Sequence, residues 1–219
     1  MKTRPDFPIE RVLQRCAQAV ADKPPAAMFG LKSEGYDSLY EQLVSCILSI
    51  RTYDEVSAVV SKALFERART PQQMLLLDVA ELTQLIADST YPAQKAENIL
   101  RLSREIVEDH GGRTPATYEA LTAFKGVGPK CANLALGVAL GRPAISVDVH
   151  VHRITNRWGY VATSSPQKTM DALTRILPRH LWVEINRVLV PFGKHVCTGR
   201  YPKCNRCPVA DECARVGVE

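Results

Sequence analysis

Apolar positions recur along most of the chain at intervals of three and four, and runs alternating with a period of two are nearly absent. Helix punctuation is frequent. Ser38-Leu39-Tyr40-Glu41 has the form of a capping box, followed by Leu39, Leu43, Ile47 and Ile50 at helical spacing. Thr70-Pro71, Thr114-Pro115 and Ser165-Pro166 each pair a hydroxyl cap with proline at a first helical position. A further helix is predicted from Pro92, with Ala96, Ile99, Leu102 and Ile106 on one face and a stop before Gly111-Gly112. Gly141-Arg142-Pro143 ends another, and Gly159 the next. No internal repeat and no low-complexity segment interrupts the pattern. The prediction is an all-α chain with short connections and two helical lobes.

Composition adds less. The 219 residues are 46% hydrophobic and 23% charged, which excludes general disorder. No apolar run approaches the roughly 18–20 residues that span a bilayer. The segment Met1–Pro8 lacks the apolar stretch of a secretory signal. No membrane association is therefore expected, and a reducing, cytoplasmic location is. The 28 basic residues exceed the 23 acidic ones by only five, but position matters more than the total. From Ile185 to Ala210 the chain carries Arg187, Lys194, Arg200, Lys203 and Arg206 and no acid. That window alone matches the whole excess. A basic face can be merely solvated, or it can neutralise phosphates.

The same stretch holds four of the seven cysteines. Cys197, Cys204, Cys207 and Cys213 are spaced x6, x2 and x5, whereas Cys16, Cys46 and Cys131 stand apart in apolar surroundings. Four thiols at this density predict a metal cage, with zinc or an iron–sulfur cluster as the candidate. Only one close Cys-x2-Cys pair is present, and the spacing differs from that of ferredoxins. Between Cys197 and Cys204, a loop with Gly199, Arg200, Tyr201, Pro202 and Lys203 has the composition of a phosphate contact.

A second constellation lies upstream. Gly126-Val127-Gly128-Pro129 joins two apolar-periodic segments through a tight hairpin. The amides at the start of the following helix form an anion site suited to a DNA phosphate. Val127 is expected as an apolar tip exposed to solvent. Lys130 falls in the first turn of that helix, where the dipole disfavours its positive charge. An amine nucleophile must be neutral, so burial in a cleft would have to assist. Eighteen residues later Asp148 is placed to cap the helix running toward Trp158. Its carboxylate suits stabilising positive charge or relaying a proton better than activating an amine. His150 and His152 sit on different helix faces, which favours a backbone or phosphate contact over a shared metal.

These features together resemble the endonuclease III family of helix-hairpin-helix DNA glycosylases. The anchors are Phe124–Asn133 around the hairpin and Lys130, Ser146–His150 with Arg153, and the Cys-x6-Cys-x2-Cys-x5-Cys cage. The resemblance implies two helical domains flanking a DNA-binding cleft: a six-helix barrel over residues 32–142, and a cluster domain built from 1–31 plus 143–219. It implies a 4Fe–4S cluster on the four cysteines. It also implies base excision on damaged double-stranded DNA by a monomer, nucleoid-associated if bacterial. Lys130 would attack the sugar C1′ and form a Schiff base, with β-elimination following. Asp148 would be the catalytic aspartate. DNA contacts would fall on Gly126, Val127, Gly128, Arg51, Tyr91, His150, Lys194, Arg200 and Lys203.

Two segments depart from the family pattern. Where a wedge loop commonly carries glutamine, Ser49–Asp54 offers Arg51; a second wedge segment reads Thr90-Tyr91-Pro92. These positions would fill the gap left by a flipped base. Oxidised pyrimidines are the first substrate class implied. The alternatives are a glycosylase for alkylated or mismatched bases, or a catalytically weak DNA-binding or redox relative.

Overall fold

The computed structural model describes residues 6–218. Residues 1–5, the start of the segment expected to lack a secretory signal, lie outside them, as does residue 219. The described residues are helical throughout, without a strand, and divide into two compact units. One comprises the described parts of Met1–Ala26 and Pro143–Glu219; the other is Ala27–Arg142. The boundary expected at residue 31 therefore moves to 26. Residues 27–31 belong to a helix whose Met28 and Leu31 are buried within the second unit. No helix among the described residues is long and apolar enough to cross a membrane.

The chain opens with α1 (Ile9–Ala19) in the discontinuous unit, then builds the continuous one from eight helices. These are α2 (Ala27–Ser33), α3 (Leu39–Ser49), α4 (Asp54–Arg67), α5 (Pro71–Met74), α6 (Val79–Leu85), α7 (Pro92–His110), α8 (Tyr118–Ala123) and α9 (Pro129–Leu140). Central α3 is almost wholly buried and packs on α4, α7 and α9. Its start is held as the sequence predicts: Ser38 and Glu41 form a complete capping box. Glu41 is itself buried and meets Arg69 Nε at 2.6 Å, while Arg69 Nη2 donates to Gly35 O at 2.6 Å. A buried carboxylate needs such partners, because its desolvation is otherwise uncompensated. Tyr40 and Ser103 hydroxyls meet at 2.6 Å in the interior and tie α3 to α7.

Two local expectations are corrected. Thr114-Pro115 does not open a helix; α8 begins at Tyr118, where Thr117 accepts from the amide of Ala120. A second threonine three residues on offered the cap, and the proline stayed in the connecting loop. Val127 is not a solvent-exposed tip either. It is only 5% exposed, because the hairpin folds its one apolar side chain inward with Phe124 and leaves glycine backbone outside.

The discontinuous unit adds α10 (Val149–Arg157), α11 (Pro166–Ile176) and α12 (Glu184–His195) to α1. Helix α12 packs on α1 and α10 around one apolar cluster containing Val12, Leu13, Ile154, Trp158, Leu189 and Phe192. Phe7, before α1, stacks on Trp158 at 5.6 Å and tilts against Tyr160 at 5.1 Å between centroids. Arg15 pairs with Asp211 at 3.0 Å, and Arg11 pairs with Glu212, so α1 also holds the segment that carries Cys213. Phe7→Ala should lower the unfolding free energy by about 3 kcal/mol, by loss of buried ring area and the cavity left behind. A urea titration with unchanged midpoint would contradict this anchoring role.

Candidate active site

In the continuous unit, α8 ends at Ala123 with Phe124 as its C-cap, and α9 starts at Pro129. Gly126 between them has φ +94°, which a side chain rarely adopts, and a Cβ there would touch Asn98 at 3.5 Å. Gly128 occupies the N-cap of α9, so no side chain caps that helix. Lys130 stands exposed in the first turn. The expected burial of this lysine is absent. Its ammonium still lies close enough to act electrostatically on Cys46 and Cys131, two buried thiols in contact on α3 and α9. Burial pushes the Cys131 thiol well up, so it stays protonated and inert as a nucleophile.

The end of α3 leads directly into the turn carrying Arg51. Arg51 has φ +57° and Tyr91 φ +55°, two of only three non-glycine residues among those described with positive φ. Each such conformation costs about 1–3 kcal/mol and persists only where surrounding bonds impose it. Those bonds are present. Thr90 Oγ1 donates to Arg51 O at 2.8 Å, and Thr90 N donates to Thr52 Oγ1 at 3.1 Å. Lys95 Nζ donates to Leu48 O at 2.7 Å and to Thr52 Oγ1 at 2.9 Å. Around them Arg51, Tyr53 (83% exposed) and Tyr91 (58% exposed) project into solvent.

In the discontinuous unit, Asp148 caps α10 as the sequence predicts: its Oδ1 accepts from the amides of His150 and Val151, both at 2.9 Å. The far side of α10 serves another helix end. Arg153 Nη2 donates to Gly193 O at 3.0 Å and to Cys197 O at 2.9 Å, and lies 3.1 Å from His150 Nδ1. Gly193 makes that approach possible, since a Cβ there would sit 2.5 Å from His150 Nδ1. Arg157, one turn on, donates to Thr198 O and Gly199 O, each at 2.6 Å, and reaches Cys197 Sγ at 3.4 Å. His152 turns away to Thr169 Oγ1 at 2.6 Å, so the two histidines do not converge.

Cys197, Cys204, Cys207 and Cys213 line a single pocket with Arg157, Trp158 and Phe192. No three of the described His, Cys, Asp or Glu side chains approach closely enough to constitute a metal site. The donor set nevertheless suits a soft metal: four sulfurs, with N–H groups of Arg157 and of the Arg215 backbone directed at two of them. Burial first, then the neighbouring thiols, push Cys207 and Cys213 up, a cost that a bound cation removes. Beside the pocket, Arg200 stacks on the exposed Tyr201 ring at 5.2 Å, Lys203 is exposed, and half-buried Lys194 lies in the last turn of α12.

Residues 44–179 match the HhH-GPD superfamily of base excision DNA repair proteins. Endonuclease III of Thermotoga maritima is 44% identical over 174 residues, spanning 80% of this chain and 82% of that one. The chain belongs to the endonuclease III family. Endonuclease III-like protein 1 of Gallus gallus is 36% identical over 217 residues, covering 97% of this chain and 73% of its own. The fold superposes on a trapped endonuclease III–DNA covalent intermediate with a TM-score of 0.81 at 29% identity, over 94% of each chain. As a member of the endonuclease III family the protein is a DNA glycosylase and abasic-site lyase of base excision repair.

Sequence reasoning missed the bonds that Thr52, Thr90 and Lys95 make, and the clamp by Arg157. A signal for Lys95 existed, since it falls in register with Ile99, Leu102 and Ile106 on the apolar stripe of α7. Burial pulls Lys95 down to about 8 from an ordinary 10.5. Between those values the unfolded chain binds the extra proton, so this group makes stability rise with pH from about 8 upward. Relative to Lys95→Met, wild-type unfolding free energy should therefore climb between pH 8 and pH 10. A flat difference in urea titrations across that range would show that the lysine is not depressed.

Proposed function

We propose that Lys130 is the nucleophile and Asp148 the acid–base and charge-stabilising group of a glycosylase acting on oxidised pyrimidines in duplex DNA. The observation that carries this reading is the position of Lys130: exposed, in the first turn of α9, immediately after a glycine hairpin, at a helix start whose amides have no side-chain cap. Those amides suit the phosphate beside the lesion. Once a damaged base is flipped out, the neutral Nζ attacks C1′ and the glycosidic bond breaks. The base leaves with the bond's electron pair and takes a proton. Opening of the C1′–O4′ bond leaves a protonated Schiff base between Lys130 and C1′. Loss of a C2′ proton then expels the 3′-phosphate, and water hydrolyses the imine to regenerate the lysine.

Asp148 serves two purposes. Oδ1 is committed to the start of α10, and the carboxylate charge favours the cationic sugar and iminium. Arg51 and Tyr91, on their paired turns, are assigned to the space vacated by the flipped base and to the opposite strand. Lys194, Arg200, Lys203 and His150 are assigned to the phosphate backbone. Cys197, Cys204, Cys207 and Cys213 would hold a 4Fe–4S cluster, which contributes folding free energy to the basic loop rather than chemistry at the sugar.

Borohydride should trap a covalent adduct between the protein and a duplex carrying an abasic site, and Lys130→Ala should abolish it. A wild-type protein that binds the duplex but yields no adduct contradicts the assignment. Asp148→Ser retains a capping oxygen, so it should melt close to wild type while losing about 100-fold or more in single-turnover rate. Asp148→Ala should lose the rate and also about 1 kcal/mol of stability. Equal stability of the two variants would show that the cap carries no weight. Natively purified protein should be brown and contain about four irons per chain; stoichiometric zinc without iron would refute the cluster assignment.

A further inference from the structure

Lys95 lies outside the chemistry assigned above, yet it is 5% exposed and no carboxylate among the described residues is paired with it. A lysine this deeply placed is uncommon unless something specific receives it. Here its partners are a carbonyl in the last turn of α3 and the hydroxyl of Thr52, one residue beyond Arg51. Carbonyls at a helix C-terminus carry partial negative charge and lack intrahelical partners, so they suit an ammonium. Thr52 Oγ1 also accepts the Thr90 amide, and Thr90 Oγ1 closes the circuit on Arg51 O. One ammonium and two hydroxyls thus join the α3–α4 turn to the α6–α7 turn.

We propose that Lys95 is a positioning residue: through Leu48 O and Thr52 it locks the turns bearing Arg51 and Tyr91 into one rigid, DNA-contacting edge. The proposal rests on the DNA role assigned to those two side chains. Both turns hold a non-glycine residue in the left-handed region, a conformation that relaxes when its restraints go. Lys95 supplies the restraint at the helix end, and Thr52 carries it across to Thr90. Without it, Arg51 and Tyr91 would remain exposed but would sample separate orientations. Their insertion would then cost the ordering entropy that the staple has already removed.

The test uses the full chain at pH 7 and a duplex with a tetrahydrofuran abasic analogue opposite 2-aminopurine. The fluorescence of this base rises when it is unstacked. Lys95→Met and Thr52→Val should each weaken binding to this duplex by about tenfold, equivalent to 1.4 kcal/mol. Both should also reduce the 2-aminopurine signal at saturating protein, with affinity for undamaged duplex within about twofold of wild type. A role limited to fold stability would lower the melting temperature but leave the saturated signal intact. Should Lys95→Met fail to fold, Thr52→Val decides, because it removes the shared hydroxyl and leaves the lysine in place. Wild-type affinity and signal in the folded variants would overturn the proposal. Arg51→Ala and Tyr91→Ala separate the two levels. If they weaken lesion binding while Thr52→Val and Lys95→Met do not, only the staple falls. If they too leave binding and signal unchanged, the assigned DNA role falls and the staple with it.

Discussion

Each helix ends with backbone groups that no intrahelical bond can satisfy, and the described residues include no strand whose ladder could absorb them. The protein meets this constraint repeatedly with side chains, and the assigned aspartate is one of them. Asp148 satisfies the start of α10; Arg153 and Arg157 receive carbonyls at and beyond the end of α12. Lys95 receives a carbonyl near the end of α3. The starts of α1, α4, α7, α9 and α12 carry no side-chain cap, and at α9 the N-cap is glycine. Lys130 stands in the first turn of that helix.

What could be read from the sequence follows the same division. Caps depend on contacts three residues apart, so Ser38–Glu41, Thr70, Ser165 and Asp148 were all legible locally. Thr114-Pro115 failed because two threonines competed for one helix start, and Thr117 took the cap. Val127 failed because a two-glycine hairpin has one side chain to place, and the direction it takes depends on the surrounding core. The bonds from Lys95 and Arg157 span more than forty residues and join elements whose adjacency no periodicity encodes. Lys95 left a trace, a cation on an apolar stripe, but its partners left none. The cysteine spacing predicts a metal cage; the fold adds that the four line one pocket and shows which N–H groups point at two of the sulfurs.

Helix α10 links the two functions within the discontinuous unit. Its N-terminal carboxylate is assigned to the sugar, and its arginines hold the backbone on which the first cysteine sits. Nine residues of helix thus connect the assigned chemistry to the cysteine-bearing loop without any side chain serving both. Gly193 allows this helix to approach α12 closely enough for those bonds to form.

The cap on α10 has a consequence for how the protein can change over evolutionary time. Both amides bond to the same carboxylate oxygen, Oδ1, which leaves Oδ2 outside the cap. That division depends on a side chain with a single methylene. Glutamate would carry the same charge but move it away from the helix start, whereas serine would keep the helix start and lose the charge. No neighbouring residue type retains both, so drift at position 148 has no neutral intermediate. The helix start alone would accept serine, so the carboxylate at this position answers to the assigned reaction and the cap together.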